Sequence, residues 1–220
     1  MSLVRCEGAG RTYGAGAVAT VALQPTDCEV QAGARIALMG PSGSGKSTLL
    51  HLLAGLEQPT VGTVAWPDLC TPLRPGPIAV VFQGPSLLPP LTVAENVALP
   101  LVLAGWPDAK ARRRARLALG MLDLAPLADK LPEELSGGQA QRAAVVRALV
   151  AEPELILADE PTGQLDHVSG GMVASVLLAV AEHLGAALIV ATHDPAIADY
   201  LPDRWEMHSG RMLPGAAWSR

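Results

Sequence analysis

The sequence predicts an α/β fold, in which a mostly parallel sheet is covered by helices and joined by an antiparallel β subdomain and an inserted α-helical subdomain. Three observations carry this prediction. Short apolar runs, RIALM (35–39), IAVVF (78–82), LILA (155–158) and ALIVA (187–191), recur with helical segments between them, and such runs suit parallel strands buried on both faces. The edges differ in kind: VALQPTDCEV, GTVAW and RWEMHSGRML read as half-exposed strands, the last a hairpin turning at Ser209-Gly210. Between Phe82 and Leu155 the strand signals stop, and the intervening sequence is helical in pattern.

That helical stretch has its own punctuation. A proline-rich loop, GPSLLPP, leads to a short helix opened by Thr92 and Glu95 at capping-box spacing. A basic helix follows over 108–124, and a third helix begins after Ser136. The expected division is therefore an α/β core with its β subdomain in residues 1–82 and 152–220, interrupted by a helical insert over 83–151. A chain of 220 residues is long enough for one core plus a smaller subdomain. Only seven residues are aromatic, so Ala, Val and Leu must fill that core.

Composition also narrows the function. A net charge of −5 argues against an extended nucleic-acid footprint, which would show as a basic domain. The local exception, KARRRAR from Lys110 to Arg116, reads as the solvated face of the helix beginning at Asp108. Its alternative is a contact for an acidic partner or anionic lipid. Cys6, Cys28 and Cys70 form no CxxC pair, so neither a zinc site nor a disulfide framework is indicated. The start MSLVRCEGAG lacks an apolar signal-peptide core, and reduced thiols in a cytosolic protein are the expectation. GMVASVLLAVAEHLGAALIVAT (171–192) is long enough to cross a bilayer, but Glu182, His183 and Gly185 interrupt it. It parses better as a helix ending near Leu184, a turn at Gly185 and a buried strand. Membrane contact is then peripheral.

Five segments carry chemistry. GPSGSGKST, covering Gly40, Pro41, Ser42, Gly43, Ser44, Gly45, Lys46, Ser47 and Thr48, fits the phosphate-binding P-loop pattern between a strand and a helix. Its glycines let successive backbone N–H groups face a phosphate, and the helix presents its positive end to the same anion. In such a P-loop NTPase core, Lys46 reaches the β- and γ-phosphates of ATP and Ser47 ligates Mg²⁺. LILADEP then delivers Asp159 to the Mg²⁺ shell and Glu160 to deprotonate the attacking water. Gln83, ending VVFQ, is placed to contact Mg²⁺ or that water, and His193, ending LIVATH, to hydrogen-bond the γ-phosphate. The fifth segment, LSGGQAQR, pairs Ser136 with Gln139 at capping-box spacing yet fills the first helical turn with Gly137 and Gly138. Each glycine costs up to about 1 kcal/mol there.

Taken in order, Tyr13, GPSGSGKST, Gln83, LSGGQ, LADEP, the LD dipeptide at 165–166 and His193 resemble the ATP-binding subunits of ABC transporters across nearly the whole chain. VFQ…LLPPLTVAENVALPLVLAG, DEPTGQLD and the Tyr13–Gly40 spacing are similar to the branch of macrolide and antimicrobial-peptide exporters, lipoprotein-release ATPases and a cell-division ATPase. The resemblance implies that Tyr13 stacks on adenine and that Ser136, Gly137, Gly138 and Gln139 cap the ATP of a second copy. It implies that Asp166 couples the two sites and that two copies drive an integral membrane permease docked beside Gln83. It places the chain on the cytoplasmic face of the membrane, with no nucleic acid expected. A regulatory or non-transport ABC ATPase is the alternative. Two positions depart from the branch, Gln164 where Asn is usual and Ala140 where Gln is common. HVSGG (167–171) places two glycines where the family continues a helix, so that helix is expected to start late or be loose.

Overall fold

The apolar runs do become strands, and their pairing decides where the site lies. The structure, a computed structural model, describes residues 1–70, 76–163 and 165–213. Among them the chain runs β1 (Ser2–Tyr13), β2 (Thr20–Gln31), β3 (Arg35–Met39), α1 (Lys46–Leu53), β4 (Val61–Ala65), β5 (Ile78–Val81) and α2 (Val93–Leu103). It continues through α3 (Asp108–Leu119), α4 (Gly137–Leu149), β6 (Leu155–Asp159), α5 (His167–Leu184), β7 (Ala187–Thr192), α6 (Pro195–Ala198), β8 (Asp203–His208) and β9 (Arg211–Met212). Gln164 lies outside the described residues.

One sheet has the order β5-β6-β7-β3-β8-β9, parallel except for the β8–β9 hairpin at its edge. Ser209 (φ 48°) and Gly210 (φ 76°) make the hairpin turn, as two left-handed residues do in tight connections. The second sheet, β2-β1-β4, is antiparallel. Alternation along the strands divides the parallel sheet between two cores. Ile156, Ala158, Leu188 and Val190 join a cluster with the helices α2 to α5. Leu155, Leu157, Ile189 and Ala191 face the other way, onto α1 and the antiparallel sheet.

Between β5 and β6 the helices carry the caps their sequences call for. The Thr92 hydroxyl accepts from Glu95 N at 3.3 Å, and the Glu95 carboxylate accepts from Thr92 N at 2.8 Å. Fully buried Asn96 then fastens the preceding loop, its amide donating to the carbonyls of Leu88, Leu91 and Thr92 while its oxygen accepts from Leu88 N.

The basic run is the solvated face the sequence predicts, and three of its arginines are paired there: Arg112 with Asp108 and Glu95, Arg114 with Glu152, and Arg116 with Asp129. Two expectations need correction. The basic helix stops at Leu119 rather than 124, because the chain tightens into a 3₁₀ turn over Gly120–Leu122 and Asp123 takes a left-handed φ of 56°. The second concerns HVSGG, where α5 starts at once at His167. Asp166 caps it by accepting from Ser169 N at 2.9 Å. A Cβ on Gly170 would stand 3.4 Å from the Thr162 side chain, so the glycine lets the helix start pack closely.

Candidate functional site

Strand register gathers the charged residues. Met39 pairs with Thr192, and Leu38 and Asp159 flank Ala191 from either side. The segments that leave β3, β6 and β7 therefore emerge side by side at the carboxyl edge, where open parallel sheets bind ligands.

Gly40–Gly45 form a tight loop after β3. A Cβ on Gly40 would lie 2.3 Å from the Met207 carbonyl oxygen, and one on Gly45 (φ 100°) 2.5 Å from that of Ala22. Only glycine fits at either position. Gly210 N donates to Ser44 O at 2.9 Å, so the C-terminal hairpin braces the loop from outside. Lys46, 6% exposed, lies back over it and donates to the carbonyls of Gly40 (2.8 Å) and Pro41 (3.2 Å). Pro41, Ser42, Gly43 and Ser47 are exposed, and Thr48 is half-buried.

Glu160 stands at the centre of the cluster. Its carboxylate lies 3.7 Å from Lys46 Nζ and 3.0 Å from His193 Nδ1. Its φ is 46°, a left-handed conformation for a residue with a side chain; such strain costs on the order of 1–3 kcal/mol and concentrates at functional sites. A hydrogen bond from Glu160 N to Ala191 O, 2.9 Å, holds the turn. Neighbouring Asp159 is buried, with an Oδ1 that has no hydrogen-bond partner among the described residues. The hydroxyl oxygen of buried Ser44 is also without one.

These observations fit a nucleotide with its cation. A backbone cradle that excludes Cβ atoms, a lysine over it and an orphaned carboxylate oxygen are the features expected for phosphate and a hard metal ion. Among the described residues no group of three or more His, Cys, Asp or Glu is arranged to hold a metal ion by itself. The available donors suit Mg²⁺, which keeps several waters and is held by one or two protein oxygens plus phosphates.

Tyr13 hangs beside α1. Its hydroxyl donates to Glu57 at 2.6 Å, and the Arg11 guanidinium sits 4.8 Å over its ring. Partial burial and the Glu57 contact raise the phenol pKa, while a hydrogen bond with Thr48 works against them. Gln83 is exposed, just past the end of β5 and one strand from Asp159.

The glycine-led helix stands apart. Ser136 accepts from Gln139 N at 3.2 Å and the Gln139 side chain accepts from Ser136 N at 2.9 Å, closing the box. No hydrogen bond or ion pair among the described residues joins Ser136–Gln139 to the P-loop, Asp159, Glu160 or His193. A Cβ on Gly137 would meet nothing within 4 Å, and one on Gly138 only Leu165 at 3.4 Å. Asp166 holds Ser169 through both N and Oγ, and Ser169 Oγ accepts from Arg142 of α4 at 3.3 Å. The backbone and hydroxyl contacts from Ser169 keep the Asp166 carboxyl below the usual range.

Sequence reasoning missed Glu57, Arg142 and the bracing by Met207 and Gly210. No spacing marks them, since each acts through a contact that only the tertiary fold creates.

Comparison with known proteins agrees with this geometry. The sequence pattern of the ABC transporter family matches residues 23–163. The lipoprotein-releasing system ATP-binding protein LolD of Nitratidesulfovibrio vulgaris is 40% identical over 219 residues, covering 96% of this chain and 94% of the relative. LolD of Gluconobacter oxydans is 41% identical over 222 residues, covering 97% and 96%. Among solved structures, a dimeric post-hydrolysis state of the ATP-binding cassette MJ0796 bound to ADP and Pi superposes with a TM-score of 0.88. It is 35% identical, with 96% of this chain and 97% of that one covered. The family match, the two relatives and the shared cassette fold all lead to one conclusion: this chain belongs to the ABC transporter family as an ATP-binding, ATP-hydrolysing subunit.

Proposed function

We propose that two copies of this chain bind two Mg²⁺-ATP head to tail and power an integral membrane partner that extracts lipoproteins from the membrane. The observation that carries the reading is the split site: Lys46, Glu160 and His193 converge, while the exposed Ser136–Gly137 start of α4 has no phosphate-binding group opposite it in its own chain. A second copy supplies that group. Likeness to LolD over nearly the whole chain supports the lipoprotein assignment, and the dimeric MJ0796 cassettes support the pairing. Under this reading residues 83–151 move as a helical unit against the core.

Each residue then has a task. Backbone N–H groups of Ser42–Ser47 surround the phosphates, and Lys46 leaves the Gly40 and Pro41 carbonyls to meet the β- and γ-phosphate oxygens. Ser47, Gln83 and Asp159 would hold Mg²⁺, which when bound would supply positive charge against the negative charge that develops on the phosphate oxygens. Glu160 takes a proton from the attacking water, and His193 fixes the carboxylate's direction and reaches the γ-phosphate. Tyr13 offers adenine the ring face opposite Arg11. Ser136 and the bare backbone of Gly137 and Gly138 close over the partner's γ-phosphate, and Asp166 sits at the seam.

No helix among the described residues is long and apolar enough to cross a membrane. In the proposed reading the chain sits peripherally on the cytoplasmic face, its partner docked at a groove of about 390 Å³ lined by Leu56, Ile78, Phe82, Leu99 and Leu103 beside Gln83. The test has two arms. Glu160→Gln should form an ATP-dependent dimer by light scattering, and the wild-type chain purified from membranes should carry an integral partner. A monomer that hydrolyses ATP at a concentration-independent rate contradicts the dimer; recovery with ribosomes or nucleic acid contradicts the membrane role.

A further inference from the structure

Gln141 lies five residues after Ser136 and is 1% exposed. Its side-chain Nε2 donates to the carbonyl of Phe82 at 3.1 Å and to that of Pro161 at 3.4 Å. Phe82 immediately precedes Gln83, and Pro161 immediately follows Glu160. One buried amide thus ties the glycine-led helix to both segments that carry the proposed water-handling side chains. Its Oε1 is buried and has no hydrogen-bond partner among the described residues. A buried polar atom left without a partner is destabilising, and native proteins keep few of them. An apolar side chain of the same length would fill the space but leave the Phe82 and Pro161 carbonyls without these donors, so what the glutamine adds to packing is the tie between the two segments.

We infer that Gln141 is a positioning residue for hydrolysis, transmitting the placement of the Ser136–Gln139 helix start to Gln83 and Glu160. The inference rests on the functional reading above and extends it. When α4 shifts as a nucleotide is enclosed, the amide carries the Phe82 and Pro161 carbonyls with it. The strained turn at Glu160 is adjacent to one of these anchors, so small displacements there redirect the carboxylate. A misplacement of about 1 Å in a reacting group can cost on the order of 10²-fold in rate.

The test compares Gln141→Met, which keeps the shape and removes the donors, with Gln141→Glu, which keeps the shape and replaces the amide by a carboxylate facing two carbonyl oxygens. ATPase kinetics are measured on the full chain and normalised to sites competent to bind a fluorescent ATP analogue. The expected result is kcat per competent site lowered about tenfold or more in both variants, with KM for ATP within about twofold of wild type. A purely structural role would lower the number of competent sites and leave kcat per site unchanged, and that result overturns the inference. If Gln141→Met does not fold, Gln141→Asn, whose donors are withdrawn by one methylene, must show the same split between kcat and KM. A wild-type chain that binds but does not hydrolyse ATP would instead overturn the functional reading on which the inference rests.

Discussion

His193 Nδ1 lies 3.0 Å from each carboxylate oxygen of Glu160. The histidine side chain is 69% exposed and the glutamate 12%, so the imidazole covers the carboxylate from the solvent side, and the buried Lys46 ammonium lies 3.7 Å from it. This geometry separates two roles. Glu160→Gln removes the proposed proton acceptor and should lower kcat by about 10²–10⁴-fold with nucleotide affinity retained. His193→Ala leaves the acceptor but frees its direction, and a smaller loss of about 10–100-fold is expected. Steady-state ATPase assays with a parallel nucleotide titration distinguish them; equal kcat for His193→Ala and wild type would exclude the orienting role.

Gly137 and Gly138 have no positive φ and no neighbour that a Cβ would strike. Their own chain gives no reason for them. Gly137→Ala should therefore stabilise α4, by up to about 1 kcal/mol, while weakening ATP-dependent dimerisation because in the proposed dimer the added methyl would face the partner's nucleotide. Thermal melting and light scattering in the Glu160→Gln background report the two effects. A variant that is more stable and dimerises normally would remove the glycine argument for the interface.

This opposition between glycines shows what was legible in the sequence. The P-loop glycines and the glycines of LSGGQ read alike on paper. In the fold Gly40 and Gly45 are required by the Met207 and Ala22 carbonyls, whereas Gly137 and Gly138 are required by nothing in cis. The strands, the caps of α2 and α4 and the hairpin at Ser209-Gly210 were readable because each depends on a few adjacent residues. The pairing of the arginines with Glu152 and Asp129 was not, since charge spacing within a helix does not reveal acids brought in from elsewhere. Gly170 and Gly171 point to a late start of α5, yet the well-formed Asp166 cap outweighs their helix-weakening.

Asp159 joins burial to an orphaned oxygen. A carboxylate held that way is destabilising until a cation approaches it. Asp159→Asn should raise the melting temperature of the nucleotide-free chain and raise the Mg²⁺ concentration for half-maximal ATPase by about tenfold. A magnesium titration of activity alongside calorimetry would reveal both. An Asp159→Asn chain with an unaltered magnesium requirement would remove the residue from the proposed metal shell.

The Thr92–Glu95 box makes the helical insert sensitive to acid in a calculable direction. The Thr92 backbone N–H, then its hydroxyl, then Arg112 hold the Glu95 carboxyl below the usual range, against a small opposing effect of burial. A carboxyl with a depressed folded-state pKa contributes stability that is fully present above its unfolded value, about 4.3, and is lost as pH falls through the folded value. Wild type should therefore lose stability below about pH 4.5 partly through this cap. Glu95→Gln keeps an acceptor for the Thr92 N–H but does not titrate, so its acid limb should be shallower. Thr92→Ala should cost about 1 kcal/mol at neutral pH through the loss of the Glu95 N contact. Urea melts of the three proteins between pH 3 and pH 7 test the scheme. Parallel stability curves for wild type and Glu95→Gln across the acid limb would mean that the cap's charge does not contribute.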